Sequence, residues 1–175
     1  GAYSYTLIST TLVAATADTP EHCRVYGAIR PEIRFGLHLP TAWNGRFYMQ
    51  GNGGYAGNSP SDDRTLHTAM RAVRHGFAVA TTDTGHDSRV EPLATFARNN
   101  LAKEIDYGFR AVHLTARTAK SLIATYYDHP LSYSYWDGCS TGGRQGLMSA
   151  QRFPADFDGI VAGAPVLNLT ATHMA

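Results

Sequence analysis

The sequence predicts a three-layer α/β fold in which antiparallel strands at one edge of a sheet are followed by parallel strands, with helices packed on both faces. Three observations carry that expectation. Ile33, Phe35, Leu37 and Leu39 alternate with Arg34, Gly36 and His38, the period-two pattern of an antiparallel strand with one face toward solvent. Further along, short apolar runs alternate with stretches of helical periodicity, and such a succession requires right-handed crossovers into parallel pairing. Finally, 175 residues, 43% of them hydrophobic and 17% charged, suffice for one core but not for two ordinary domains. No internal repeat or linker divides the chain, so residues 1–175 are expected to form one unit.

Tyr3 to Ala15, rich in Thr and β-branched residues, suits an irregular edge strand. Arg24 to Ile29, Ile33 to Leu39 and Arg46 to Gln50, separated by Arg30-Pro31 and Asn44-Gly45, read as consecutive hairpin-linked strands. Asp62 or Asp63 can cap a helix that carries Leu66, Met70 and Val73 on one face and stops at Gly76. Phe77 to Thr81 is a short apolar strand, expected to be buried on both faces. From Lys103 a long helix is expected, its apolar stripe running through Ile105, Phe109, Val112, Ala116, Ala119, Ile123 and Tyr126, with Asp128-His129-Pro130 as its stop. Tyr133 to Asp137 is a strand, Gly142 to Arg152 a helix, and Ile160 to Ala162 a strand stopped by Gly163-Ala164-Pro165.

Fifteen Lys and Arg balance 14 Asp and Glu to leave a formal charge of +1. With no basic run interleaved with aromatics, a nucleic-acid partner is not expected. No apolar run approaches the roughly 18 residues of a membrane span, and none opens the chain as a leader would. No membrane partner is expected either.

Gly138-Cys139-Ser140-Thr141-Gly142 matches G-x-S-x-G between a predicted strand and a predicted helix. On such a turn the serine is held strained with its Oγ exposed above the sheet, and the helix N-terminus behind it favours developing negative charge. Ser140 is therefore the expected nucleophile. Cys139, one residue before the apex, faces away and is expected to be structural. An oxyanion needs two N–H donors. Thr141, directly after the serine, supplies one. The glycine-rich Gly51-Asn52-Gly53-Gly54-Tyr55 loop supplies the other, expected at Gly53 rather than Gly54. Asp83 and His86, in Thr82-Asp83-Thr84-Gly85-His86, resemble an orienter and a base, but the hydrolase order places acid and base after the nucleophile, so a buried hydrogen-bonding turn is the expectation. Beyond Ser140 stand only Asp156, Asp158 and His173, read as two turn residues and a loop or helix-start residue. No triad is expected to close within this chain.

Tyr135-Trp136-Asp137-Gly138-Cys139-Ser140-Thr141-Gly142-Gly143-Arg144-Gln145-Gly146, Gln151 to Pro154 and Phe157 to Pro165 resemble the tannase and feruloyl esterase family. The likeness extends upstream to His22-Cys23-Arg24-Val25, Leu39 to Phe47, Gly51 to Tyr55 and Thr82 to His86. The resemblance implies an α/β-hydrolase core of which only the N-terminal part is present, without its lid and last strands. It also implies a secreted or periplasmic serine hydrolase of aromatic acid esters of feruloyl, galloyl or terephthalate type. By the same resemblance Cys139 bonds a cysteine on the absent segment, Cys23 seeks a partner upstream, and calcium belongs to the absent lid, with no cofactor held by this chain. A missing C-terminal segment or a second chain is then the expected partner. The alternative is a non-catalytic fragment or a processed subunit that needs a partner chain for its acid and histidine.

Overall fold

A computed structural model of the chain describes residues 4–168 and 170–171. One seven-stranded sheet runs in the order β1-β2-β3-β5-β4-β6-β7, formed by Tyr5–Val13, His22–Ile29, Ile33–Pro40, Ala78–Thr82, Arg46–Gln50, Tyr133–Cys139 and Gly159–Gly163. β1, β2 and β3 are antiparallel, β3 pairs antiparallel with β5, and β5, β4, β6 and β7 are mutually parallel. The edge strand β1 carries a register shift between Leu7 and Ser9, in keeping with its irregular sequence.

Four helices flank the sheet: α1 (Asp63–Val73), α2 (Leu101–Ile105), α3 (Ala111–Tyr127) and α4 (Thr141–Arg152). α1 packs on one face, where Ala69 and Val73 meet Val79. The other face holds the main core. There Phe35, Leu37, Phe47, Met49, Ala80 and Trp136 pack with Leu114, Ala119 and Ile123 of α3.

Two expectations about the strands are corrected. β4 is not hairpin-linked to β3, because β5 takes the β3 edge and β4 inserts between β5 and β6. The Asn44-Gly45 turn is instead anchored to neighbouring loops: the Asn44 N–H donates to the Gly76 carbonyl at 2.9 Å, and the Ser132 N–H to the Gly45 carbonyl at 2.7 Å. Nor is β3 half-solvated. Arg34 alone is exposed, while Gly36 lies against Tyr26, Pro60 and Thr81, and His38 is buried beside His22 with ring centroids 5.4 Å apart. Burial, reinforced by the neighbouring His22 and Arg24, drives the His38 pKa down to about 3.

The remaining elements follow their signals more closely. Asp62 occupies the N-cap of α1, but its side chain accepts from the Ser59 N–H at 3.0 Å instead of capping the helix. β5 begins at Ala78 rather than Phe77 and is buried throughout, as expected. The helix after it is interrupted: Asp106–Arg110 forms a π-turn between α2 and α3. Upstream of that turn the periodic stripe no longer marks the inward face: Lys103, Asp106 and Tyr107 are buried there in place of Ile105 and Phe109, and Val112, Ala116, Ala119 and Ile123 keep their places. At the other end Tyr126 is 46% exposed, and Asp128, at φ 50°, stops the helix in the left-handed region. Lys103, drawn inward, is held by both carboxylate oxygens of Glu91 at 2.7 and 2.6 Å.

The shifted stripe makes a testable contrast. Leu114→Ala, which the uninterrupted stripe omits, is expected to cost about 3 kcal/mol. Tyr126→Ala, which that stripe includes, is expected to cost about 1 kcal/mol or less. Equilibrium urea unfolding of both variants checks this, and equal losses would contradict the burial described.

Candidate functional site

Parallel strands deliver their C-terminal ends to one edge, and the loops leaving that edge carry the candidate site. β6 ends at Cys139, and α4 begins at Thr141. Ser140, between them, has φ 61° and ψ −118°, in a region costly for any residue with a Cβ. The turn is this sharp because its backbones touch. A Cβ on Gly138 would lie 2.5 Å from the Gly142 carbonyl group, and one on Gly51 would lie 2.7 Å from the Gly142 Cα and 2.8 Å from the Trp136 ring. The Ser140 N–H donates to the Gly163 carbonyl at 3.0 Å, and the Trp136 indole to the Gly142 carbonyl at 3.1 Å. Thr141 is the first residue of α4, so its N–H has no acceptor within the helix.

The glycine loop after β4 is fixed against this turn. The Gly51 N–H donates to the Asp137 carbonyl at 2.8 Å, and the Thr141 hydroxyl to the Gly54 carbonyl at 2.6 Å. Gln145, fully buried in α4, accepts the Asn52 N–H at 3.0 Å and returns its own amide N–H to the Asn52 side-chain oxygen at 3.1 Å. The Asn52 amide in turn donates to the Thr82 carbonyl at 2.8 Å. Gly53 accepts from the Ala56 N–H, closing a tight turn over Gly54, whose φ is 55°. Nothing lies within 4 Å of a Cβ built on Gly53, so this backbone faces open space. The Asn52 N–H is occupied and cannot serve an incoming ligand. The structure thus brings together Ser140, Thr141 and the Gly53 loop, as the motif requires. Gln145, Asn52 and Trp136, which hold the parts in place, carry no signal in spacing or composition that marks them.

A cleft of about 420 Å³ borders this loop on the α1 side. Gln50, Asn58, Arg64, Thr65, Thr68 and Thr81 line it beside the loop itself, without one aromatic or aliphatic side chain. An aromatic ring needs apolar walls; this cleft does not supply them, whereas an adjoining cavity of about 550 Å³, which shares Gln50 to Gly53 and reaches Gly138 and Cys139, has Tyr48, Ala72 and Phe77 in its walls beside Arg71, His75 and Asp137.

His22, His38, His86 and His113 stand elsewhere. His86 is buried, stacked on Phe96 at 3.9 Å and seated against Gly57, and burial lowers its pKa. Asp83 accepts the Arg34 and Gly85 N–H groups at 3.0 and 2.8 Å, so the segment is a buried hydrogen-bonding turn as expected. Asp156 and Asp158 are both turn residues. Asp158 accepts from Ser134, and Asp156 accepts from His113 Nδ1 at 2.7 Å. Asp156 lies past the end of α4, and about 18 Å of helix separates it from Ser140. His22 and His38 lie at the opposite end of the strands, and His173 falls outside the described residues.

Cys23 and Cys139 are both free thiols. Four strand spacings, about 19 Å, separate them across the sheet, and they sit at opposite ends of it, so they cannot bond each other. Cys139 is exposed beside Ser140. Among the described residues no group of three His, Cys, Asp or Glu side chains is placed to hold a metal ion. The described residues therefore offer no site for the calcium that the resemblance assigns to the absent lid. Among the same residues no helix is long and apolar enough to cross a membrane.

Desolvation raises the Asp83 pKa from the ordinary 3.8 to about 7. Between those values the folded state binds more protons than the unfolded, so this group's contribution to stability falls as pH rises from about 4 to 7. Asp83→Asn preserves an oxygen for both N–H donors and removes the ionisation. The variant is expected to lose less stability than the parent between pH 5 and 8 in thermal melts. Parallel pH profiles for the two proteins would contradict the assignment.

Comparison with known proteins matches residues 17–175 to the family model "Tannase and feruloyl esterase". The mono(2-hydroxyethyl) terephthalate hydrolase of Piscinibacter sakaiensis is 38% identical over 168 residues, covering 87% of this chain and 28% of that protein. Feruloyl esterase B of Aspergillus niger is 41% identical over 159 residues, covering 89% of this chain and 29% of that protein. The chain thus spans less than a third of the length of these curated relatives. The crystal structure of feruloyl esterase B from Aspergillus oryzae superposes with a TM-score of 0.75 at 34% identity, over 92% of this chain and 34% of that one. With a matching fold, a matching family model and relatives of this identity, the chain belongs to the tannase and feruloyl esterase family and has the α/β-hydrolase fold.

Proposed function

We propose that the protein containing this chain is a serine carboxylic ester hydrolase acting on aromatic acid esters of feruloyl, galloyl or terephthalate type. The observation that carries the proposal is the strained Ser140 at the β6–α4 turn, with the Gly53 loop held beside it. Ser140 Oγ attacks the ester carbonyl as a base takes its proton. The N–H groups of Thr141 and Gly53 stabilise the oxyanion, aided by the N-terminus of α4. The alcohol leaves with the proton that the base returns, and water then attacks the acyl-serine by the same route. The names of the relatives support the class of ester: one is a terephthalate monoester hydrolase and another a feruloyl esterase.

Residues 1–175 form the N-terminal portion of the catalytic domain in this reading. Among the described residues no hydrogen bond joins a histidine or a carboxylate to Ser140, and His86 and His113 are committed to other partners. The base and its acid therefore come from a C-terminal segment, or from a partner chain if the protein is processed. That segment also brings the cysteine that bonds Cys139, and the lid, with its calcium, that walls the aromatic acyl group. Secretion or export to the periplasm accompanies such a disulfide.

A fluorophosphonate probe is expected to label the complete protein at Ser140, and Ser140→Ala to abolish labelling; labelling that survives the change would overturn the assignment. Gly53→Pro removes one donor, and kcat on methyl ferulate is expected to fall by about a hundredfold or more. The 175 residues alone are expected to hydrolyse methyl ferulate and methyl gallate negligibly. Fast Ser140-dependent turnover by that isolated chain would place a base within it.

A further inference from the structure

We propose that Gln145 is a positioning residue that sets the oxyanion-binding geometry by clamping Asn52, and that it affects turnover without touching the ester. This deepens the proposed function and rests on it. Gln145 has no exposed surface, and both ends of its amide are used on one neighbour: Oε1 accepts the Asn52 N–H at 3.0 Å and Nε2 donates to Asn52 Oδ1 at 3.1 Å. A glutamine satisfied twice by one residue fixes that residue's rotation as well as its position. Asn52 completes the chain by donating from Nδ2 to the Thr82 carbonyl, which ties the loop to the end of β5.

The peptide that follows Asn52 carries the Gly53 N–H. Its plane is set by the Asn52 backbone on one side and by the Gly53–Ala56 turn on the other. Holding the Asn52 N–H toward α4 thus occupies that donor, as Asp137 occupies the Gly51 N–H before it, and leaves the Gly53 N–H for a ligand. Gln145 also lies one turn beyond Thr141 on the same helix, and residues four apart share a helix face. The helix that presents one candidate donor at its first residue therefore grips, one turn later, the loop that presents the other. A shift of the loop by a fraction of an ångström would leave the ground state bound as before and weaken contact with the developing oxyanion.

The test uses the complete protein with Gln145→Met, which keeps the length of the side chain and removes both hydrogen bonds. Gln145→Glu, which keeps the acceptor and loses the donor, is the second variant should the first fail to fold. On methyl ferulate, kcat is expected to fall tenfold to a hundredfold for the first and less for the second, with KM within about threefold of the parent. A phosphonate transition-state analogue should react with Ser140 more slowly by a similar factor, while ferulate binds as before. Asn52→Ala combined with Gln145→Met should be no worse than the worse single variant, because both break one clamp. A lowered melting temperature with unchanged kcat and unchanged phosphonylation rate would reduce Gln145 to a structural role and overturn the proposal. If the parent is labelled at Ser140 yet fails to hydrolyse methyl ferulate, the substrate class is wrong, and the phosphonylation rates still decide the clamp.

Discussion

Gly51, Gly138 and Gly142 bring three backbones to separations at which no side chain fits, and the geometry of the whole β4–β6 end follows from that contact. With β6 and α4 pressed together, the chain has a single residue, Ser140, in which to reverse from strand to helix, and that residue takes φ 61°. Such a conformation costs on the order of 1–3 kcal/mol. Its surroundings over-determine it: the Gly163 carbonyl takes the Ser140 N–H, Trp136 ties down Gly142, and the Gly51 N–H bonds Asp137 in the strand leading to the turn. The strain is carried by a parallel sheet buried on the α3 and α4 side, which cannot yield without opening the core.

The same contact decides where the glycine loop sits. Once Gly51 touches Gly142, Asn52 lies within reach of Gln145, and Gly54 within reach of the Thr141 hydroxyl. Every hydrogen bond that holds the loop to the elbow therefore comes from the first five residues of α4 or the end of β6. Arg144 extends the arrangement outward. Its guanidinium lies 4.8 Å from the Tyr107 ring centre and donates to the carbonyls of Tyr107 and Gly108, so the π-turn is gripped by the elbow helix as well. An irregularity in one helix is thus anchored by the helix that also positions the nucleophile candidate.

Much of this was legible in the residues, and the failures have physical causes. The elbow could be read because a glycine pattern of that kind has one structural use when a strand precedes it and a helix follows. Strand existence was likewise readable, but strand pairing was not. Asn44-Gly45 looks like a hairpin turn because turn chemistry is local, whereas the choice between β3 and β5 as neighbour depends on contacts with Gly76 and Ser132, both distant in sequence. The solvated face assigned to β3 failed for a similar reason, since α1 and Pro60 cover it from afar. The π-turn left no periodic trace, since the stripe in the sequence runs on through Ile105 and Phe109, and Lys103 on its inward side reads as solvent-facing until Glu91 is placed beside it. Gln145 is a polar residue on an otherwise ordinary helix, and only its partner 93 residues away gives it meaning.

The division of labour in the proposed site follows from where its polar groups are satisfied. The proposed nucleophile and both proposed oxyanion donors sit on elements tied to one another by hydrogen bonds within this sheet and its loops. Four of the histidines are committed elsewhere. His86 is spent on packing against Phe96, His113 is bonded to Asp156 beyond the far end of α4, and His22 and His38 are buried at the opposite end of the strands. Electrostatic stabilisation and proton transfer are therefore separable in this architecture. A segment that docks with a histidine needs to bring it within hydrogen-bonding distance of a serine already held in place, and no part of its docking energy is needed to strain the turn or order the loop. Of the two cavities beside the loop, one is lined without an aromatic or aliphatic side chain and the other offers Tyr48 and Phe77, so in the proposed reading the same segment shares with this chain the recognition of an aromatic acyl group. Substrate choice can then change through that segment while the oxyanion geometry set by Gly51, Gly138 and Gly142 stays as it is.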